Sequence, residues 1–270
     1  MRELHRWLVP VVAALVTACS AGSSAGTAGT ATPSGMSSPS PPSPTDASRT
    51  LEVGAVTVYL CETCIHAARV AGTNLPATII RSIARIDRLL SLPTAYVDVT
   101  DDPQATIPGM GVGGKSLGTR VPLALDPGFR RFGWTVRVRL PMTLAHELDE
   151  TKRSLDGPGG ATTLLDWLVT DGLADHFALQ AFPRSPPSPW DHALSQGQER
   201  RLWRKARPRL HEFIEFGTWF FGSRGIPRWA GYTIGFDLVG RYLARHPGTT
   251  PSELTVVDAE RILRGSGFRP

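Results

Sequence analysis

Five side chains near the middle of the sequence have the types and spacing for metal chemistry. The string TLAHELDETKRS, residues 143–154, sets His146 and Glu150 four apart. On a helix they share one face, a single turn apart, and can close on one cation. Glu147 follows His146 directly and points a little aside, where a carboxylate base would reach a water beside the ion. The common form of this pattern has a second histidine where Glu150 stands. A carboxylate there still ligates a divalent metal, but its charge makes the site less selective for zinc and weakens the ion's Lewis acidity. Downstream, LLDWLVTDGLADHF, residues 164–177, carries Asp171 and Asp175, again one helical turn apart. Asp171 supplies a third ligand and Asp175 holds the His146 ring in one tautomer. Charges in so apolar a segment are costly to bury without partners, and a metal site is one reason for them. The expected set is His146, Glu150 and Asp171 around zinc or another divalent ion, with Glu147 as base and Asp175 behind His146. His176 lies five residues past Asp171 and faces elsewhere. Tyr232 is a candidate for stabilising an oxyanion, although a packed core tyrosine is the more ordinary reading. A His–Glu pair alone is commonly no more than a surface ion pair or a helix-end acid favoured by the macrodipole. The two downstream aspartates are what make it a site.

Helices must present these groups. Thr143 reads as the N-cap of the first, which Gly157-Pro158-Gly159-Gly160 closes, and Thr162–Phe182 reads as the second. Ahead of them lie an apolar strand-like run, Val53–Leu60, and a helix, Leu75–Leu90, with Pro76 at its entry and Pro93 after it. The helix carries an apolar stripe of Ile79, Ile80, Ile83, Ile86, Leu89 and Leu90. Ala95–Thr100 and Thr119–Leu125 read as further strands. Between them, GMGVGGK (109–115) lacks the strand-loop-helix setting of a phosphate loop and reads as a glycine-rich hairpin or edge strand. Later helices are expected over Gln198–Phe216, Gly231–Arg245 and Pro251–Leu263. The expected fold class is α+β: a small N-terminal β-sheet, then a mostly helical core.

The N-terminal residues read as an export signal. Arg2 and Arg6 precede an apolar run, Leu8–Val16, too short to span a bilayer, and Val16-Thr17-Ala18-Cys19 resembles a lipobox. The expected organisation is a lipoprotein signal peptide over 1–18 and a disordered Ser/Pro/Gly/Thr-rich tether over 19–49. A single domain over 50–270 follows, anchored outside the cytoplasm to the cell membrane through lipidated Cys19. Cys61 and Cys64 have no second C-x-x-C to complete a zinc ribbon, and a disulfide between them suits an exported chain. The formal net charge is +5, and the densest basic run, residues 200–207, contains Trp203. Trp203, Ala206, Leu210, Phe213 and Ile214 recur at helical spacing, so the arginines read as a solvated helix face rather than a nucleic-acid surface.

Taken together, GMGVGGKSLGTRVPLALDP, TLAHELDETKR, LLDWLVTDGLADHF, the Pro189-Trp190 pair, GYTIGFDLVGRYLARHPG and ILRGSGF resemble a bacterial family of predicted zinc-dependent proteases, grouped as a domain of unknown function. The spacing of Asp171 and Asp175 after His146 is also similar to that of gluzincin metallopeptidases. The resemblance implies a gluzincin-like helical core acting on a peptide or protein substrate. Typical members have His-His where this chain has Asp149-Glu150, and Glu where it has Asp171. Two functions are therefore expected to compete: a metal-dependent envelope peptidase, and a catalytically inactive lipoprotein that uses the same fold to bind a peptide or envelope component.

Overall fold

A computed structural model describes residues 49–270. The architecture is α+β. Two strands, β1 (Arg49–Val53) and β2 (Val56–Leu60), form an antiparallel hairpin that turns at Gly54, whose φ of 61° suits glycine. The single run expected over Val53–Leu60 is therefore the end of one strand, a turn and the next strand. Alternation in β2 buries Val56, Val58 and Leu60. Helix α1 (Glu62–Val70) follows, and Cys61 and Cys64 are joined by a disulfide at its start, with Cα atoms 5.4 Å apart.

Helix α2 (Leu75–Leu90) begins where the Asn74 side chain accepts the Ala77 N–H at 3.0 Å. Its buried stripe is Leu75, Ile79, Ile83, Ile86 and Leu90, narrower than the sequence suggested, because Ile80 and Leu89 are 40% and 38% exposed. Strand β3 (Ala95–Asp101) runs parallel to β2 on one side and to β5 (Arg120–Leu125) on the other. The glycine-rich segment contributes a short edge strand, β4 (Val112–Gly114), antiparallel to β5, so the sheet order is β1-β2-β3-β5-β4. Glycine is required there by crowding: a Cβ on Gly113 would meet the Ala105 carbonyl oxygen at 2.2 Å.

The helical half starts earlier than the sequence suggested. A short turn, α3 (Phe132–Trp134), passes through a π-helical stretch, Thr135–Arg139, into α4 (Leu140–Asp156). Thr143 is not an N-cap. It lies inside the helix and its hydroxyl donates back to the Arg139 carbonyl at 3.1 Å, a bond open to threonine within a helix as well as at its end. Helix α5 (Leu164–Ala181) has a capping box in which Thr163 and Asp166 bond reciprocally, and this accounts for Asp166 without any metal.

Helix α6 (Gln196–Ala206) stops ten residues short of the expected Phe216, since Pro208 cannot continue it. Its arginines 201 and 204 are solvated while Leu202, Trp203 and Ala206 are buried. Phe213, assigned to that stripe by periodicity, is 83% exposed. Helix α7 (Ala230–Arg245) lies against α5 with no side chains between them at one point. A Cβ on Gly172 would stand 2.3 Å from the Gly235 carbonyl oxygen, and one on Gly235 2.1 Å from that of Leu168. The expected final helix is two, α8 (Pro251–Leu254) and α9 (Ala259–Ser266). Buried Arg153 of α4 fastens the link between them, donating to the carbonyls of Thr255 and Val257 at 2.9 and 2.7 Å. No helix among the described residues is long and apolar enough to cross a membrane. Cys19, the expected signal peptide and the expected tether up to residue 48 lie outside the described residues.

Candidate metal centre

Helices α4 and α5 bring together the three expected ligands. His146 Nε2 lies 3.7 Å from Glu150 Oε1, one turn along α4, and 4.0 Å from Asp171 Oδ1 on α5. One donor atom from each residue falls within 4.8 Å of the others. Zinc bonds of about 2.0–2.2 Å in tetrahedral array set neighbouring ligands roughly 3.4 Å apart. The trio is therefore a slightly open version of a site that would hold such an ion. Asp171 is almost completely buried and its Oδ2 has no hydrogen-bond partner, which a cation would supply.

The orientation of His146 is set from behind. Asp175, one turn after Asp171, accepts from His146 Nδ1 at 3.0 Å and from Trp190 Nε1 at 2.9 Å. With the Nδ1 proton committed to Asp175, the Nε2 lone pair is left for the side where Glu150 and Asp171 stand. Burial disfavours charge on this imidazole, but Asp175, Glu150 and Glu147 outweigh it and raise its pKa well above 6.5. Burial, followed by the charge of Glu150, likewise holds Asp171 well above the usual carboxylate range. So much like charge in one buried place is what a divalent cation relieves.

Glu147 stands apart from the trio, against the edge strand. Burial and then Glu150 push its carboxyl up to about 8, opposed in part by the charge of His146 and by a hydrogen bond from the Ser116 backbone. The room for it comes from Gly114 of β4, where a Cβ would fall 2.7 Å from Glu147 Oε1. That role was legible only as a surplus of glycines, since nothing in GMGVGGK names the side chain it must clear. Trp190 was noted only as half of a Pro-Trp pair, and its contact with Asp175 closes over a separation of 15 residues. Asp191, beside it, was missed.

Other acids and histidines turn elsewhere. Asp149 is fully buried, accepts from Thr255 Oγ1 at 2.6 Å and is pushed by burial up to about 7. His176 stacks on Phe236 with centroids 4.1 Å apart, and its Nε2 meets the Phe236 carbonyl at 2.9 Å, away from the trio. Tyr232 is packed against Phe220 and Trp190, with centroids 4.9 and 5.4 Å away. Burial and the charges of Asp171, Glu150, Asp175 and Glu147 raise its phenol well above 10, so it sits within the field of the acidic group.

Residues 134–264 match the model of a family described as Predicted Zn-dependent protease (DUF2268). Among curated proteins, the chain is 28% identical over 146 residues to the uncharacterized protein YjfC of Bacillus subtilis, covering 48% of each chain. It is 29% identical over 99 residues to YjaZ of the same organism, covering 35% of this chain and 38% of YjaZ. The chain thus spans about half the length, or less, of the curated relatives it matches. The match takes in both α4 and α5, the two helices that carry the acidic group, so the part of the chain that holds the candidate site is the part similar to the family of predicted Zn-dependent proteases.

Proposed function

We propose that the chain is a metal-dependent peptidase of the cell envelope, tethered to the outer face of a membrane through lipidated Cys19. The observation that carries the catalytic part is the approach of Glu150 Oε1 and Asp171 Oδ1 to His146 Nε2, with the carboxylate of Glu147 beside them. The tether is supported by the signal-like residues 1–18 and the small-residue tract that follows. In this reading His146, Glu150 and Asp171 hold a divalent ion, zinc by family resemblance, which when bound supplies Lewis acidity toward a peptide carbonyl and water. Asp175 fixes the His146 ring. Glu147 takes a proton from the attacking water and passes it to the leaving amine. Burial and Glu150 push the Glu147 carboxyl up to about 8, and a divalent cation held by the three ligands would favour its ionised form. Substrates are peptides or proteins outside the cytoplasm.

The test is zinc content and hydrolysis of a quenched-fluorescent peptide library by the full chain, before and after Glu147→Gln. Stoichiometric metal, with activity abolished in the variant and metal retained, supports the peptidase. Stoichiometric metal without hydrolysis assigns the domain to binding a peptide or envelope component instead. A chain that takes up no metal at micromolar supply overturns the peptidase reading and leaves the inactive, peptide-binding lipoprotein.

A further inference from the structure

Behind the metal-facing trio lies a further buried carboxyl with no place in the chemistry above. Asp191, on the loop between α5 and α6, is 1% exposed. Its Oδ2 accepts the Ser188 backbone N–H at 2.8 Å, whereas its Oδ1 has no donor among the described residues. The carboxyl lies within hydrogen-bonding reach of Asp175. Two carboxylates cannot meet in a buried place without a proton between them. Asp175 already accepts on both oxygens, Oδ1 from His146 and Oδ2 from Trp190, so the proton falls to Asp191. Arg139, on the preceding helical segment, acts on Asp191 by charge; its Nη1 donates to the carbonyls of Pro186 and Pro187 at 3.1 and 3.2 Å, while its buried Nε has no partner among the described residues. The loop is pinned as well, since Thr233 of α7 donates to the Trp190 carbonyl at 2.7 Å.

We propose that Asp191 is a positioning residue: its carboxylic acid donates to Asp175, holds that carboxylate against His146 Nδ1, and thereby keeps Nε2 directed at Glu150 and Asp171. The raised pKa of Asp191, about 9 through burial and the neighbouring Asp175, agrees with the acid form near neutral pH. The chain of contacts runs from Asp191 to Asp175 to His146 and involves no group that touches substrate. The consequence for metal binding rests on the metal reading above, whereas the hydrogen-bond chain does not.

The test uses the full chain and two readouts: zinc affinity by chelator competition, and the His146 Nδ1–H resonance in metal-free protein labelled with 15N-histidine. Asp191→Asn, whose amide still donates to Asp175, keeps the downfield, slowly exchanging resonance and the wild-type affinity. Asp191→Leu broadens or loses the resonance and weakens zinc binding by roughly 10–100-fold, the usual loss when a partner behind a ligand is removed. If the leucine variant does not fold, Asp191→Ala, which adds no bulk, carries the same comparison. A leucine or alanine variant with an unchanged His146 resonance overturns the proposal, and so does an Asn variant as impaired as either. If wild type binds no zinc, the metal reading fails alone and the resonance still decides the role of Asp191.

Discussion

Gly114→Ala adds one methyl group at the point where the edge strand meets Glu147. The new Cβ would lie 2.7 Å from Glu147 Oε1, 2.8 Å from its Cγ and 2.8 Å from Leu123 Cδ2. Carbon contacts settle at about 3.5–4.0 Å, so the three atoms must give way by roughly 0.7 Å or more. Leu123 is fully buried and Glu147 nearly so, which leaves neither a solvent-side escape. Overpacking of this kind costs about 1–3 kcal/mol, and at about 2–4 °C per kcal/mol for a domain of this size the melting temperature falls by several degrees. The effect on turnover is larger, because displacing a catalytic group by about 1 Å costs up to ~100-fold. The expected result is a folded protein with unchanged zinc affinity, since the atoms nearest the methyl belong to Glu147 and Leu123, and a kcat about 10–100-fold below wild type. The assay is peptide hydrolysis alongside thermal denaturation and chelator competition. Wild-type turnover in folded Gly114→Ala would refute the placement of Glu147 as the base.

Three further outcomes follow from other contacts. Gly235→Ala puts a methyl 2.1 Å from the Leu168 carbonyl oxygen, and as backbone cannot rotate aside, α5 and α7 must part at a cost of about 3 kcal/mol or more in urea denaturation. Glu199, raised from 4.5 to about 7 by burial and then by neighbouring Asp237, favours the folded state fully below pH 4.5 and loses that contribution as pH rises through 7. Glu199→Gln therefore removes about 1–2 kcal/mol of the stability lost between roughly pH 5 and 8, and an unchanged pH slope would count against the buried acid. Glu150→His replaces an anionic oxygen 3.7 Å from His146 Nε2 with an imidazole and raises zinc affinity about 10-fold or more, whereas unchanged affinity would mean that position 150 does not face the ion.

Local chemistry made much of this molecule legible in its sequence. The boundaries of α2 are those its Asn74-Leu75-Pro76 entry and apolar period announce, and α5 needs only the Thr163-Asp166 box to fix its start. The convergence of His146, Glu150 and Asp171 is readable because i, i+4 spacing on two helices leaves few ways to arrange them. What escaped reading depends on contacts between distant segments. Ile80, Leu89 and Phe213 fit an apolar period, yet the described residues leave the first two partly exposed and Phe213 largely so. Thr143 has the chemistry of an N-cap, but the π-helical stretch before it already carries the helix forward. Asp191 carries no local signal, because its partners, Ser188 apart, lie on other elements and its acidity matters only once Asp175 is beside it.

The role of His146, Glu150 and Asp171 turns on whether they hold a metal ion. Zinc content of the full chain after exhaustive dialysis, compared with a folded His146→Ala variant, measures this without reference to any substrate. The expected result is about one equivalent in wild type and none in the variant. Equal zinc in the two proteins, or none in wild type at micromolar supply, would contradict the account.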